Sequence, residues 1–166
     1  MQFSSTRGSS EVLDFPTAVS RGLAPDGGLY HPTTDPDLRE LIRGFDRTTS
    51  FTDMSADLTA ALFADVYTPE EAGNIAELAF PFTPTISRID KSLYMLELFH
   101  GPSCAFKDFG ASYLATVMED HLARTGRTAT ILTATSGDTG SAVAKAFHGK
   151  ENIQVVILYP SGRVSP

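Results

Sequence analysis

The sequence is poor in the features that define several large protein classes. It has a single cysteine in 166 residues, so no internal disulfide can staple it, and it fits a reducing, cytoplasmic setting. No stretch approaches the roughly 18 apolar residues needed to span a bilayer. The opening MQFSSTRGSS lacks the apolar core of a secretory signal. Basic residues are scarce: 13 Lys and Arg face 20 Asp and Glu, a net charge of −7 that argues against generic phosphate-backbone binding. GxGxxG and GxxxxGK[ST] are both absent, which excludes the usual dinucleotide fingerprint and the Walker loop. GPSCA around Ser103 is not the GxSxG of a hydrolase elbow, and His31, His121 and His148 have no metal-ligand spacing. There is no internal repeat and no low-complexity tract.

What is present divides in two. Residues 1–99 carry 7 basic and 15 acidic side chains, and residues 100–166 carry 6 and 5. The acidic excess therefore belongs to the first part, and the second can accept an anionic small molecule without a global charge penalty. Residues 1–83 read as a mostly helical region. Asp14 is a candidate N-cap with Pro16 in the first turn, and PDLRELIRGF is a short amphipathic helix. FTDMSADLTAALFADV places Met54, Leu58, Ala61 and Leu62 on one face, and Thr68, Pro69 and Glu71 form a capping box. APDGGLYHP, from Ala24 to Pro32, reads as a loop.

Residues 84–166 read as the start of a parallel α/β domain. Ser92–Phe99, Thr128–Thr135 and Ile153–Pro160 are strand candidates, separated by helices over Asp108–Gly126 and Asp138–Gly149. The last strand is an apolar run, as for a strand buried on both faces. Such a β-α-β-α-β order predicts right-handed crossovers and a ligand crevice at the strand carboxyl ends.

Two loops fall at those ends. TSGDTGSA, Thr135–Ala142, opens a helix and offers backbone N–H groups to a carboxylate or phosphate. The same residues also suit a plain helix cap made by Ser136 or Asp138. FHGPSCAFKDFG, Phe99–Gly110, ends in Lys107 at a helix start, between Phe106 and Phe109. A cation there faces the unfavourable end of the helix dipole, a setting that suits a lysine needed as a neutral nucleophile. Gly101 and Gly110 would let a ligand approach the backbone. Cys104 reads as a small buried residue rather than a thiol paired with His100.

ELFHGPSCAFKDFG resembles the cofactor-lysine signature of threonine synthases. TATSGDTGSAVAKAF and LYPSGRVSP are similar to two further segments of that family, and STRG and GLAPDGGLYHP to its opening. Ser103 and Cys104 stand where Thr and Leu are more usual. The resemblance implies an incomplete tryptophan-synthase-β-like fold (fold type II of the pyridoxal-phosphate enzymes). It implies conversion of O-phospho-L-homoserine and water to L-threonine and phosphate, the last step of threonine biosynthesis. Carried over residue by residue, Lys107 would hold pyridoxal 5′-phosphate and shuttle protons, and Asp138 would lie near the cofactor's 3-oxygen. Ser136, Gly137, Thr139 and Gly140 would bind the substrate carboxylate, and Ser103 and Arg163 the substrate phosphate. The family's glycine-rich loop for the cofactor phosphate has no counterpart here. The expectation is therefore an N-terminal portion that is inactive alone, of unreadable oligomeric state, with a non-catalytic anion-binding fragment or paralogue as the alternative.

Overall fold

The computed structural model describes residues 1–9, 11–135 and 137–162. Ser136 and Arg163, both expected at the site, lie outside the described residues. The chain divides into two compact units, Met1–Glu77 and Leu78–Pro166. No helix among the described residues is long and apolar enough to cross a membrane.

The first unit is less helical than its sequence suggests. It contains a three-stranded antiparallel sheet in the order β2-β1-β3, built from β1 (Gln2–Ser5), β2 (Val12–Asp14) and β3 (Tyr30–Pro32). β3 falls in the segment expected to be a loop. These strands are three or four residues long, too short for a period-two pattern to show, and they depend on cross-chain pairing. Phe3 pairs with both Leu13 and Pro32. STRG and APDGG, apart in sequence, meet through Asp26. Its carboxylate accepts hydrogen bonds from the Ser5 hydroxyl at 2.7 Å, the Gly28 N–H at 2.9 Å and the Ser9 N–H at 3.3 Å. The Ser5 hydroxyl first, then the Gly28 N–H, holds the Asp26 carboxyl below its usual range. Gly28 has no room for a side chain, because a Cβ there would collide with Ser5 Oγ.

The helices of this unit start where capping chemistry directs them. α1 (Phe15–Arg21) begins after Asp14, whose carboxylate accepts the Thr17 N–H at 2.9 Å. α2 spans Arg39–Gly44, and α3 spans Phe51–Leu62 behind a Ser50–Asp53 capping box. On α3, Met54, Leu58 and Leu62 are half-buried, while Ala61 faces solvent. Thr68 and Glu71 exchange the expected hydrogen bonds at the start of α4 (Pro69–Ala79). Phe15, buried, stacks on Phe63 with ring centroids 3.7 Å apart and also meets Phe3.

In the second unit β4 (Thr85–Arg88) and β5 (Tyr94–Glu97) form an antiparallel hairpin. α5 (Lys107–Thr125), β6 (Ala129–Ala134), α6 (Asp138–Phe147) and β7 (Ile153–Leu158) follow. β6 and β7 pair in parallel, with Ala129 opposite Ile153 and Ala134 opposite Leu158. The parallel pair is thus β6–β7. The strand expected at Ser92–Phe99 is shorter and pairs with β4 instead, because a connection of five residues, 89–93, keeps β4 close enough to satisfy its backbone. Burial along β6 and β7 alternates. Leu132, Val156 and Leu158 are exposed, so the Ile153–Leu158 run is covered on one face rather than two.

α5 carries the core of this unit. Val117, Met118 and Leu122 are buried, and Leu114 is partly exposed. Near its start, Phe109 and Tyr113 join Phe80 and Phe82 in an aromatic cluster; Phe80 stacks on Tyr113 and Phe82 meets Phe109 edge-on. Its end is closed by Gly126 in the left-handed region, whose N–H reaches the Leu122 and Ala123 carbonyls. Midway along, Glu119 accepts from the backbone N–H groups of Glu151 and Asn152 and from Asn152 Nδ2 at 2.9 Å. That carboxylate ties the helix to the turn before β7.

Candidate active site

The first turns of α5 and α6 face one another across a cavity of about 270 Å³. Its walls are Phe106, Lys107, Gly110 and Ala111 from α5 and its approach, and Thr139, Ala142 and Val143 from α6. Parallel pairing of the strands before them is expected to bring Lys107 and residues 136–140 to one crevice; Lys107 and Thr139 share one although β5 pairs with β4 rather than β6. Apart from that amine and that hydroxyl, the lining side chains are apolar. Two helix N-termini end here, so the local field favours an anion.

Lys107 is the first residue of α5. Its Nζ lies 5.5 Å from the centroid of the Phe106 ring and makes no hydrogen bond or ion pair among the described residues. A cation held by an aromatic face and by no carboxylate is available to a ligand that brings its own partner group. Gly110, one turn on, lines the same cavity, and a Cβ built on it meets nothing within 4 Å. The space beside the lysine is therefore open because the residue there is glycine. An aldehyde-bearing, phosphorylated planar cofactor fits this donor set: an accessible amine, an aromatic wall, a floor of small residues and two helix N-termini.

The remaining expected residues divide by task. Gly137 is the N-cap of α6, its N–H 3.4 Å from Thr135 Oγ1, and no side chain among the described residues caps the helix. Asp138 is the first residue of α6 rather than its cap. Gly140 is buried; a Cβ on it would lie 2.5 Å from Thr135 Cγ2, so its smallness seats α6 against the end of β6. Ser103 is turned away from the cavity's lining. Its hydroxyl donates to Asp108 Oδ1 at 2.6 Å and its N–H to Oδ2 at 2.9 Å.

Gly101 and Gly110 also part company: Gly101 gives room not to a ligand but to Asp108, into whose carboxylate a Cβ would run. Cys104 is exposed rather than buried, because it occupies the turn with φ of 56° and its N–H bonds back to the Gly101 carbonyl. His100 pairs with Glu97 Oε2 at 2.7 Å. Glu97 also accepts from the Ser87 hydroxyl, and that bond first, then His100, pulls its carboxyl below the usual range.

The residue that sequence reasoning missed is Asp108, which is 1% exposed and holds the loop before the lysine. The available signal was the chain's own spacing. A glycine and a hydroxyl residue lie seven and five positions before an aspartate in a helix's first turn, where a carboxylate reaches back to loop N–H groups.

Comparisons with known proteins agree with this geometry. Residues 2–80 match the family described as threonine synthase N terminus. The threonine synthase of Haemophilus influenzae is 40% identical over 156 residues, covering 94% of this chain and 36% of that protein. The structure of PLP-bound threonine synthase from Brucella melitensis superposes with a TM-score of 0.92 at 39% identity, covering all of this chain and 37% of that one. Yeast threonine synthase gives a TM-score of 0.88 at 31% identity, covering 99% and 36%. The chain thus spans a little over a third of the length of the relatives it matches. From end to end the chain is similar to threonine synthases, and its residues 2–80 to their N terminus.

Proposed function

We propose that these residues form the lysine-bearing half of the active site of a pyridoxal-phosphate-dependent threonine synthase, a carbon–oxygen lyase acting on O-phospho-L-homoserine. The observation that carries the reading is the unpaired Lys107 amine, set in an apolar cavity opposite Thr139 and flanked by the opening left at Gly110. It is supported by the similarity to a PLP-bound threonine synthase along the whole chain. The setting proposed is the cytoplasm.

When bound, the cofactor supplies an electron sink for carbanions on the substrate. The chain's own residues do the rest. Lys107 Nζ would hold the cofactor and, as a free amine, would carry protons between substrate carbons. The Thr139 hydroxyl and the N–H groups at the start of α6 bind the substrate carboxylate, with Gly137 leaving the approach clear. Asp138, the first residue of α6, is assigned by resemblance alone to the neighbourhood of the cofactor's 3-oxygen. Phe106, Ala142 and Val143 give the amine apolar walls. Ser136 and Arg163 are assigned, by resemblance alone, to the substrate carboxylate and phosphate. Ser103 was expected on that phosphate as well, but its donated proton is committed to Asp108, so we assign it to the loop.

The test is reductive trapping. Borohydride treatment of the polypeptide with pyridoxal phosphate, followed by peptide mapping, is expected to label Lys107. Label at Lys91, Lys145 or Lys150 instead removes the assignment. Phosphate release from O-phosphohomoserine by the full-length enzyme tests the substrate.

A further inference from the structure

Asp108 is a carboxylate sealed from solvent one residue after the lysine. Its oxygens are fully engaged by a single residue of the preceding loop, through the Ser103 N–H at 2.9 Å and the Ser103 hydroxyl at 2.6 Å. The loop is shaped to reach it. Gly101 has no Cβ because the carboxylate occupies that space, and Cys104 turns back with positive φ to bond the Gly101 carbonyl at 3.0 Å. The Asp108 N–H in turn donates to the Ala105 carbonyl at 3.0 Å. Residues 101–105 are therefore wrapped around one carboxylate, and Lys107 stands where the wrapping ends and α5 begins.

We propose that Asp108 is the positioning residue for Lys107: by gripping Ser103 it fixes the loop-to-helix junction, and so the direction in which the lysine side chain leaves the backbone. The inference rests on the reading of Lys107 as the cofactor lysine. It assigns Asp108 no contact with cofactor or substrate. A side chain with four rotatable bonds reaches many positions, and what narrows them is the orientation of its first bond. A shift of this junction moves the amine while leaving the cavity walls on α6 untouched. A buried carboxylate suits the task, because a charge-assisted pair of short bonds resists angular drift more than a neutral contact does. Ser103 thereby belongs to the frame of the site rather than to its substrate contacts.

The experiment compares the wild-type polypeptide with Ser103→Ala, Ser103→Thr and Asp108→Asn, without substrate. Two quantities are read: the rate at which borohydride traps pyridoxal phosphate on Lys107, located by peptide mapping, and the thermal midpoint. Ser103→Ala is expected to slow trapping about tenfold while most of the thermal stability remains, and Asp108→Asn to slow it further. Ser103→Thr, which restores the hydroxyl, is expected to return the wild-type rate. Should Asp108→Asn fail to fold, the Ser103 pair decides alone. Wild-type trapping rates in both Ser103→Ala and Asp108→Asn overturn the proposal, as does slowing in Ser103→Ala that Ser103→Thr fails to reverse. So does trapping reduced only in proportion to the unfolded fraction. Failure of the wild type to label Lys107 is a different result, which removes the cofactor assignment itself. A Ser103 that only touched substrate phosphate leaves trapping without substrate unchanged, and that outcome too overturns the proposal.

Discussion

Replacing Gly110 by alanine should separate stability from ligand binding. Gly110 is the fourth residue of α5, inside the helix, with no positive φ to forbid a side chain. Alanine in a helix interior is favoured over glycine by roughly 0.5–1 kcal/mol, because the unfolded chain loses freedom. The added Cβ meets nothing within 4 Å, so no clash offsets that gain. For a unit of this size the thermal midpoint should rise by about 2–8 °C. The same methyl projects into the cavity beside Lys107, where a cofactor has to lie. Overpacking of a fitted site costs roughly 1–3 kcal/mol. Converted at about 1.4 kcal/mol per tenfold, that weakens cofactor binding about five- to hundredfold. Urea denaturation measures the first effect, and titration with pyridoxal phosphate measures the second. A loss of stability would refute the claim of open space. Raised stability with unchanged cofactor affinity would refute the placing of the cofactor in this cavity.

Gly140→Ala should behave oppositely: the new Cβ would sit 2.5 Å from Thr135 Cγ2, and rotating Thr135 away would break its contact with the Gly137 N–H. A net destabilisation of about 1–2 kcal/mol in denaturant titration is expected, overpacking exceeding the helix-propensity gain. Thr139→Val keeps the shape of the cavity wall and removes its hydroxyl. In the full-length enzyme it should raise KM or lower kcat with little change in midpoint, and a collapsed midpoint with normal kinetics would mean a structural role only. Ser87→Ala should destabilise the β4–β5 hairpin in a pH-dependent way. The hydroxyl lowers the Glu97 carboxyl in the folded state, so its contribution is fully present above the ordinary glutamate pKa of about 4.3 and is lost as pH falls through the depressed folded value. A wild-type-minus-variant difference that stays constant into strong acid would contradict this.

Helices were legible from sequence where capping residues announce them. Asp14 with Pro16, and Thr68 with Glu71, sit where the structure uses them. The three short strands around Phe3 were not, since their stability comes from partners ten to thirty residues away and from the Asp26 knot. The same limit applied to Tyr94–Glu97: the segment reads as a strand, but nothing local says that β4 rather than β6 will satisfy its backbone. At the site, residue chemistry and loop position singled out Lys107 and Thr139, which share the cavity, although the parallel pairing of Ser92–Phe99 with β6 invoked to join them is absent, β5 pairing with β4. Chemistry and position could not tell a glycine that makes room for a ligand from one that makes room for a carboxylate. Gly110 and Gly101 look alike in sequence and differ only in what occupies the space where a Cβ would be.

The Glu119 contact bears on how the chain finds this fold. A hairpin turn sets the register of antiparallel strands, but parallel strands have no such device and a slip of one residue reverses every side chain. Here the helix that precedes the pair, α5, supplies the gauge. Glu119 binds Glu151 and Asn152 just ahead of β7, while the Ala129 N–H bonds the Asn152 carbonyl. A slipped β7 forfeits the Glu119 bonds as well as its own ladder, so misaligned intermediates are penalised early. Because α5 is a local structure that forms quickly, it acts as a ruler laid down before the sheet is assembled.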